Sequence, residues 1–163
     1  MQKRRYLALQ GTASPFFARI QQQLVQTRAS CRRVNFCGGD WLYADRTAEA
    51  SDYAGTQAEL ADWYQNELVR TSPTDILMFG DCRVVHQPVH AVAASLGMRV
   101  HVFEEGHVRP HWLTMERHGV NGRSLLPKDP PWYLEPRKYT PSAPPAFSTG
   151  YNLSVPAHHS YRY

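Results

Sequence analysis

The sequence predicts an α/β protein built around a parallel sheet, because predicted strands alternate three times with predicted helices along the chain. In such βαβ units consecutive strands are parallel, and right-handed crossovers place helices on both faces of the sheet. The chain has 163 residues, of which 42% are hydrophobic, and this is enough for one domain with a real core. We therefore expect a Rossmann-like parallel sheet with flanking helices, followed by an extended Pro-rich tail.

Four segments are predicted strands, because they are short and bounded by glycine or polar residues. In chain order they are residues 5–10, 32–37, 75–79 and 99–103. The third is the clearest, since its continuous run of Ile, Leu, Met and Phe is typical of a strand buried on both faces. A glycine directly follows each of the first three strands, and Glu104, Glu105 and Gly106 follow the fourth.

Three helices are predicted between these strands, from apolar residues that recur at spacings of three and four. They cover about residues 16–28, 56–71 and 84–96. Ser14 is the expected N-cap of the first helix and Pro15 its first residue, because a side-chain oxygen satisfies the open N–H groups there and proline lacks one. Gly97 is the expected stop of the third helix. Residues 40–55 show no clear period and are predicted to be a connection.

Charge is spread unevenly along the chain. Residues 1–39 hold seven basic residues and no acidic one, whereas residues 40–67 hold seven acidic residues and one arginine. The basic region either meets phosphates or an anionic membrane surface, or is ordinary solvated surface, and both interpretations stay open. No aromatic strand of the RNA-binding type accompanies it, so we expect no nucleic-acid partner.

The cysteines and the hydropathy pattern indicate a cytoplasmic protein. The three cysteines form no close Cys-x-x-Cys pair, which argues against a disulfide framework and a zinc ribbon and favours reduced thiols. No apolar stretch approaches the ~20 residues that span a bilayer. The apolar run over residues 6–9, after the basic start, is too short for the core of a signal peptide.

Candidate functional residues lie where the predicted strands end, since ligands of open parallel sheets bind outside the carboxyl ends of the strands. These ends are residues 10–14, 35–40, 80–83 and 104–109. Glu104 and Glu105 form the sharpest pair. Adjacent residues leave a strand toward opposite sides, so one can face a cleft as a general base, or as a nucleophile toward a sugar carbon. In the alternative, they cap a turn and pair with Arg83 or Arg109. Asp81 is a further acid, or a turn residue that bonds its own backbone.

Three other motifs are weaker. A Gly-x-Gly-x-x-Gly fingerprint is absent, which argues against a dinucleotide site. Residues 80–82 superficially resemble the Gly-Asp-Ser of a hydrolase family, with Cys82 as nucleophile and His86 as base, but the distant Asp-x-x-His of that family is missing. His86 and His90 have a spacing that can chelate zinc, yet Pro88 lies between them, so packing histidines are favoured and no metal site is expected.

Four separated segments resemble, in family order, the capsule polysaccharide biosynthesis/export family of the KpsS/LipB type. They are Leu9 to Gly11 with Ser14 to Phe17, Val34 to Trp41, Gly80 to Arg83 with His86, and the run from Val100 through Pro110, Trp112 to Glu116 and Gly119 to Gly122. The resemblance covers about residues 5–135. It implies one lobe of a two-lobed, GT-B-like glycosyltransferase, similar to retaining β-Kdo transferases that move Kdo from CMP-Kdo onto a lysophosphatidylglycerol-type lipid.

The resemblance also implies site residues and partners. The acidic pair followed by glycine is similar to the motif that supplies the catalytic acid/base in bacterial sialyltransferase-like enzymes, so Glu104 and Glu105 would be catalytic, with Asp81 second. The residues implied to line the substrate cleft are Gln10, Gly11, Ser14, Arg83, Arg109 and Asn121. No metal or other cofactor is implied. The implied partners are the CMP-Kdo donor, the lipid acceptor and other capsule assembly proteins, at the inner-membrane surface.

Residues 1–126 are the expected N-terminal lobe, and residues 127–163 the expected poorly packed tail, which holds eight of the twelve prolines. Family members carry a second lobe that binds the donor. We therefore expect this chain to be an N-terminal portion, from a truncated gene and inactive alone. Two alternatives stay open: a non-catalytic module of capsule assembly or export, and a transferase for a different nucleotide sugar.

Overall fold

The computed structural model describes residues 3–107 and 112–134. Its centre is a six-stranded sheet in the order β3-β2-β1-β4-β5-β6. Neighbours among β1 to β5 are parallel, and β6 runs antiparallel to β5. This arrangement confirms the predicted α/β fold with a Rossmann-like sheet. The strands are Arg5–Ala8 (β1), Ser30–Asn35 (β2), Ala50–Asp52 (β3), Asp75–Phe79 (β4), Arg99–Glu105 (β5) and Leu113–Arg117 (β6).

Helices cover both faces of the sheet. One apolar cluster joins Leu7 and Leu9 to α3 and α4, and a second joins Ala8 to α1, as the alternation of side chains along a strand requires. All five residues of β4 are buried, which agrees with its apolar sequence. The helices are Phe16–Gln26 (α1), Gly38–Leu42 (α2), Leu60–Thr71 (α3), Val89–Ser95 (α4) and Pro130–Leu134 (α5).

The helix starts differ from the predictions. Pro15 rather than Ser14 occupies the N-cap position of α1, and Ser14 instead accepts the N–H of Phe16 at 3.3 Å. The helix predicted from residue 84 begins only at Val89, because the preceding residues form turns and Pro88, which has no N–H, stands at its N-cap. In front of α3 the chain forms a short 3-10 helix, Gln57–Glu59.

Four elements were missed in the sequence. The predicted connection over residues 40–55 contains β3 and the last three residues of α2, β6 follows the fourth predicted strand, and α5 lies in the predicted tail. Glu104 and Glu105 are the last two residues of β5, not the first residues after it. Of the predicted tail, the structure describes residues 127–134, which include α5 and no buried residue. Residues 135–163 lie outside the described residues, so the boundary at residue 127 stays a prediction.

Candidate functional site

The sheet has a switch point between its neighbouring strands β1 and β4. The chain leaves β1 toward α1 on one face of the sheet, and it leaves β4 toward α4 on the other face. The two loops therefore diverge and open a crevice at the carboxyl ends of the strands, where ligands of this fold class bind. A cleft of about 1120 Å³ lies at this point.

The cleft brings together six of the residues predicted for the site. They are Gln10, Asp81, Arg83, Glu104, Glu105 and Asn121. Gly11 is not part of the lining, although its carbonyl oxygen accepts a hydrogen bond from Arg83 at 2.8 Å. Ser14 also lies outside the lining, and its hydroxyl is 2.6 Å from that of Thr12. Arg109 lies outside the described residues, so its predicted contact with substrate stays a prediction.

Glu104 and Glu105 stand on the cleft wall at the end of β5. Glu104 is half-buried and Glu105 is exposed. The N–H of Glu105 donates to Glu104 Oε1 at 3.0 Å, which holds the Glu104 carboxylate beside the end of the strand. The other oxygen faces Gly80, because a Cβ atom built there would lie 3.7 Å from Glu104 Oε2. Gly80 has a φ of 72°, and its missing side chain leaves this part of the cleft open.

Asp81 is 3% exposed, and its carboxylate ties the β4 loop to the chain after β6. Asp81 Oδ2 accepts the N–H of Val120 at 3.2 Å, and Oδ1 accepts the thiol of Cys82 at 3.1 Å. Gly119 provides the space for this contact, since a Cβ atom there would lie 3.0 Å from Oδ2. Both oxygens therefore have structural partners, and the predicted catalytic role of Asp81 stays a prediction.

Arg83 is held at the switch point by the residues that follow β1. Its Nη1 donates to Gln10 Oε1 at 3.0 Å and to the carbonyl oxygen of Gly11 at 2.8 Å. The amide of Gln10 in turn donates to Asp40 Oδ2 at 3.2 Å. Gln10 and Asp40 are both buried, with 1% and 4% exposure. A buried polar chain thus runs from α2 to a cationic side chain on the cleft wall.

A family model described as "Capsule polysaccharide biosynthesis protein" matches residues 74–163, which include the cleft residues of β4, β5 and the segment after β6. The chain belongs to this family. The "Capsule polysaccharide export protein KpsS" of Escherichia coli is 37% identical over 80% of this chain and 33% of that protein. The "Capsule polysaccharide modification protein LipB" of Neisseria meningitidis serogroup A is 28% identical over 79% of this chain and 31% of that protein.

The chain thus spans about a third of the length of these two relatives. Two solved structures are similar to part of this chain at low sequence identity. The UDP-GlcNAc 2-epimerase of Methanocaldococcus jannaschii has a TM-score of 0.49 and 14% identity, over 66% of this chain and 32% of that one. A UDP-N-acetylglucosamine 2-epimerase from Listeria monocytogenes has a TM-score of 0.44 and 12% identity, over 61% and 29%.

Cys82 and His86 of the capsule family chain do not form a nucleophile and base. His86 is fully buried, and its Nδ1 hydrogen-bonds the carbonyl oxygen of Gly80 at 2.6 Å. Burial lowers the pKa of His86 to about 3, so the ring is neutral. The hydrogen bond to Asp81 raises the pKa of the exposed Cys82 thiol. Because a thiol nucleophile needs a lowered pKa, this arrangement does not support the hydrolase interpretation.

The opposite end of the cleft is apolar, and its aromatic side chains were not predicted as site residues. Phe36 and Tyr53 follow β2 and β3, and both line the cleft. Their ring centroids are 6.0 Å apart, and Tyr53 lies 4.9 Å from Trp63 of α3. Gly55 leaves room for the Tyr53 ring, since a Cβ atom there would come within 2.8 Å of the hydroxyl oxygen. In the sequence, Phe36 lies within the predicted strand over residues 32–37 and within the candidate segment 35–40, and that segment was the available signal for it.

Over residues 3–107 and 112–134, no three His, Cys, Asp or Glu side chains are grouped so that they could hold a metal ion. The helices of this part of the chain are too short or too polar to cross a membrane.

Proposed function

We propose that this chain forms the N-terminal lobe of a glycosyltransferase of capsule polysaccharide synthesis, with Glu104 and Glu105 as its catalytic carboxylates. The single observation that supports the proposal is that both glutamates and Arg83 line one cleft at the switch point of the sheet. Family membership supports the pathway, since the matched family is described as biosynthetic for capsule polysaccharide. The specific reaction is the transfer of Kdo from CMP-Kdo to a lysophosphatidylglycerol-type lipid.

The carboxylates suit the chemistry of glycosyl transfer. A carboxylate beside the anomeric carbon can take the proton of the acceptor hydroxyl as its oxygen attacks the carbon and CMP leaves with the electron pair of the broken C–O bond. Alternatively, the carboxylate itself attacks the carbon as CMP leaves, and the acceptor oxygen displaces the carboxylate in a second step, which retains the configuration. Glu104 is the more enclosed of the two and has one oxygen directed toward the open space above Gly80. Which glutamate acts, and the further role of Asp81, are parts of the proposal that the variants below separate.

The remaining lining residues would bind substrate. Arg83 carries the positive charge of the cleft, and it would bind an anionic group of the donor or the acceptor. Gln10 and Asn121 offer amide groups to sugar hydroxyls, and Arg109, Gly11 and Ser14 would extend the site beyond the described lining. Basic side chains and helix termini can neutralise the phosphate of a leaving nucleotide, so the proposal includes no metal cofactor.

The proposal assigns the binding of the donor nucleotide to a second lobe. The chain spans about a third of the length of its relatives, which leaves room in such proteins for another nucleotide-binding lobe. The lipid acceptor, the capsule assembly partners and the location at the inner-membrane surface belong to the same proposal. In isolation, this lobe would bind acceptor and would not transfer Kdo.

The test is an assay of Kdo transfer from CMP-Kdo to lysophosphatidylglycerol by a full-length family member with glutamine at the positions of Glu104 or Glu105. We expect at least one variant to lose about 100-fold or more of the transfer rate, the usual contribution of a general acid or base. Glutamine at Glu49, an exposed residue paired with Arg32, is the matched control and should leave the rate unchanged. Full transfer by both single variants would refute the assignment.

A further inference from the structure

The guanidinium of Arg83 is held on one side only. Nη1 makes both of its hydrogen bonds, to Gln10 and to the carbonyl oxygen of Gly11. Within residues 3–107 and 112–134, Nε and Nη2 make no hydrogen bond, and no carboxylate lies within 4.0 Å of Arg83. Nε and Nη2 form the edge of a guanidinium that binds carboxylates and phosphates through two parallel hydrogen bonds. This edge is therefore available to a ligand.

Gln10 can hold Arg83 in only one orientation of its amide. An arginine side chain donates and never accepts hydrogen bonds, so Gln10 must present its oxygen to Arg83. The amide nitrogen then points the other way, where it needs an acceptor. Asp40 provides that acceptor, because Oδ2 lies 3.2 Å from Gln10 Nε2.

Asp40 is itself fixed by the chain around α2. Its Oδ2 also accepts the N–H of Phe36 at 3.0 Å, and Asp40 is 4% exposed. A carboxylate offers only acceptors to these donors, so it cannot stabilise the flipped amide of Gln10. The hydrogen bonds from Arg83 to Gln10 and from Gln10 to the buried Asp40 of α2 therefore fix the orientation of the Gln10 amide and, through it, that of Arg83 at the cleft.

The available edge of Arg83 lies next to a proposed catalytic residue. The Arg83 Nε atom and Glu104 Oε2 lie 3.8 Å and 3.7 Å from one point, the position that a Cβ atom would take on Gly80. An anion bound to Arg83 would therefore lie beside the Glu104 carboxylate, and the absence of a side chain on Gly80 leaves that space open.

We infer that Asp40 and Gln10 are positioning residues, which direct the Nε–Nη2 edge of Arg83 at a carboxylate or phosphate group of the substrate. The inference rests on the proposed function, since the oxyanion is taken to belong to the sugar donor or the acceptor. It adds Asp40, a residue that does not line the cleft, to the groups on which substrate binding depends.

The experiment follows the side-chain Nε–H signal of Arg83 by NMR in the full 15N-labelled chain, with Arg83→Lys used to assign the signal. Free Kdo is the carboxylate probe and inorganic phosphate is the phosphate probe. We expect one of them to shift the signal. In Asp40→Asn the new amide can donate to Gln10 and turn it, so the Arg83 signal should move and the affinity for the probe should fall about tenfold.

Asp75→Asn is the matched control, because Asp75 is also a buried aspartate and lies at the opposite end of the sheet. It should lower stability and leave the Arg83 signal in place. Gln10→Met, which keeps the shape but removes both hydrogen bonds, tests the same link if Asp40→Asn does not fold. The inference is overturned if Asp40→Asn and Gln10→Met leave signal and affinity unchanged, if neither anion shifts the signal, or if Asp75→Asn shifts it equally.

These outcomes are separate from those of the transfer assay. If Arg83 is oriented and binds an anion as expected, but a full-length family member transfers no Kdo, the proposed reaction fails and the positioning role stands. If transfer depends on the glutamates while Asp40→Asn leaves Arg83 unchanged, the reaction stands and the positioning role fails.

Discussion

The carboxylates at the two ends of β4 and β5 differ in their partners. At the amino end, Asp75 is fully buried and accepts hydrogen bonds from Arg99 at 2.8 Å, His101 at 2.8 Å and Thr74 at 2.7 Å. At the carboxyl end, Glu104 accepts one hydrogen bond from the neighbouring backbone and has no ion pair within the part of the chain that the structure describes. The carboxylate of Asp75 therefore stabilises the sheet, whereas that of Glu104 lies on the wall of the cleft.

Removing the buried carboxylate should have the largest effect on stability. Asp75→Ala leaves Arg99 and His101 without their partner beneath the sheet, and breaking a buried pair in this way costs about 3–5 kcal/mol. Because Arg99 is partly exposed and can regain water, we expect the free energy of unfolding to fall by about 3 kcal/mol, as measured by urea unfolding.

Glu49→Ala is the control for that measurement, because it breaks an exposed ion pair with Arg32. Exposed pairs contribute about 0–1 kcal/mol, so this variant should hardly change the urea midpoint. Equal losses in the two variants would contradict the view that burial at the amino end makes the Asp75 cluster structural.

The same cluster should make stability depend on pH. Burial alone would raise the pKa of Asp75, but the hydrogen bonds from Arg99, His101 and Thr74 outweigh it and hold the pKa below its usual value. A lowered pKa in the folded state adds stability above the unfolded pKa of about 3.9, and this stability is lost as the pH falls through the folded value.

Urea unfolding of the native chain and of Asp75→Asn at about pH 6 and about pH 3 measures this contribution. The difference in unfolding free energy between the two proteins should shrink at the lower pH, because there the unfolded carboxylate, with its pKa of about 3.9, binds a proton more readily than the folded one. A difference that is constant over this range would show that the charge of Asp75 contributes nothing to folding.

Most strands of the sheet were predictable from the sequence. The strands β1, β2, β4 and β5 lie within a few residues of their predicted bounds, because buried strands carry apolar runs ended by glycine. The short strand β3 was missed because Ala50, Ser51 and Asp52 have no apolar period and are defined only by pairing with β2. The edge strand β6 has alternating burial, with Leu113 and Met115 exposed, so its apolar residues do not mark a core.

The cleft was predictable where it depends on local rules and not where it depends on long-range contacts. Loops after parallel strands meet at one edge of the sheet, and this rule brought Gln10, Asp81 and Glu104 to the same cleft. Asp40 lies in the candidate segment over residues 35–40, but its contact with Gln10 was not predicted, and Tyr53 was missed. Each reaches the site through an element that the sequence pattern did not show, α2 for Asp40 and β3 for Tyr53. Their places depend on contacts between residues far apart in the chain, which no local period encodes.

Alanine substitutions at Gly80 and Gly97 should have a smaller effect on stability. Together they separate the effect of lost space in the cleft from that of backbone strain. Gly80 and Gly97 have nearly equal positive φ values, 72° and 68°, so alanine at either position should cost about 1–2 kcal/mol of unfolding free energy. A Cβ atom at Gly97 meets nothing within 4 Å, whereas one at Gly80 lies between Arg83 and Glu104. Only Gly80→Ala should therefore weaken binding of the anion probe, as measured by the Arg83 side-chain signal. Equal binding by both variants would contradict the open space above Gly80.

The smallest expected effect on stability is that of Glu104, one of the two carboxylates proposed to act in transfer. Glu104→Gln removes a charge that has no cationic partner among the described residues and that shares the cleft with Glu105, so folding loses no ion pair and like-charge repulsion falls. We expect the free energy of unfolding to change by about 0.5 kcal/mol or less, with any change toward higher stability. A loss comparable to that of Asp75→Ala would mean that both ends of β5 are structural, and the contrast between them would disappear.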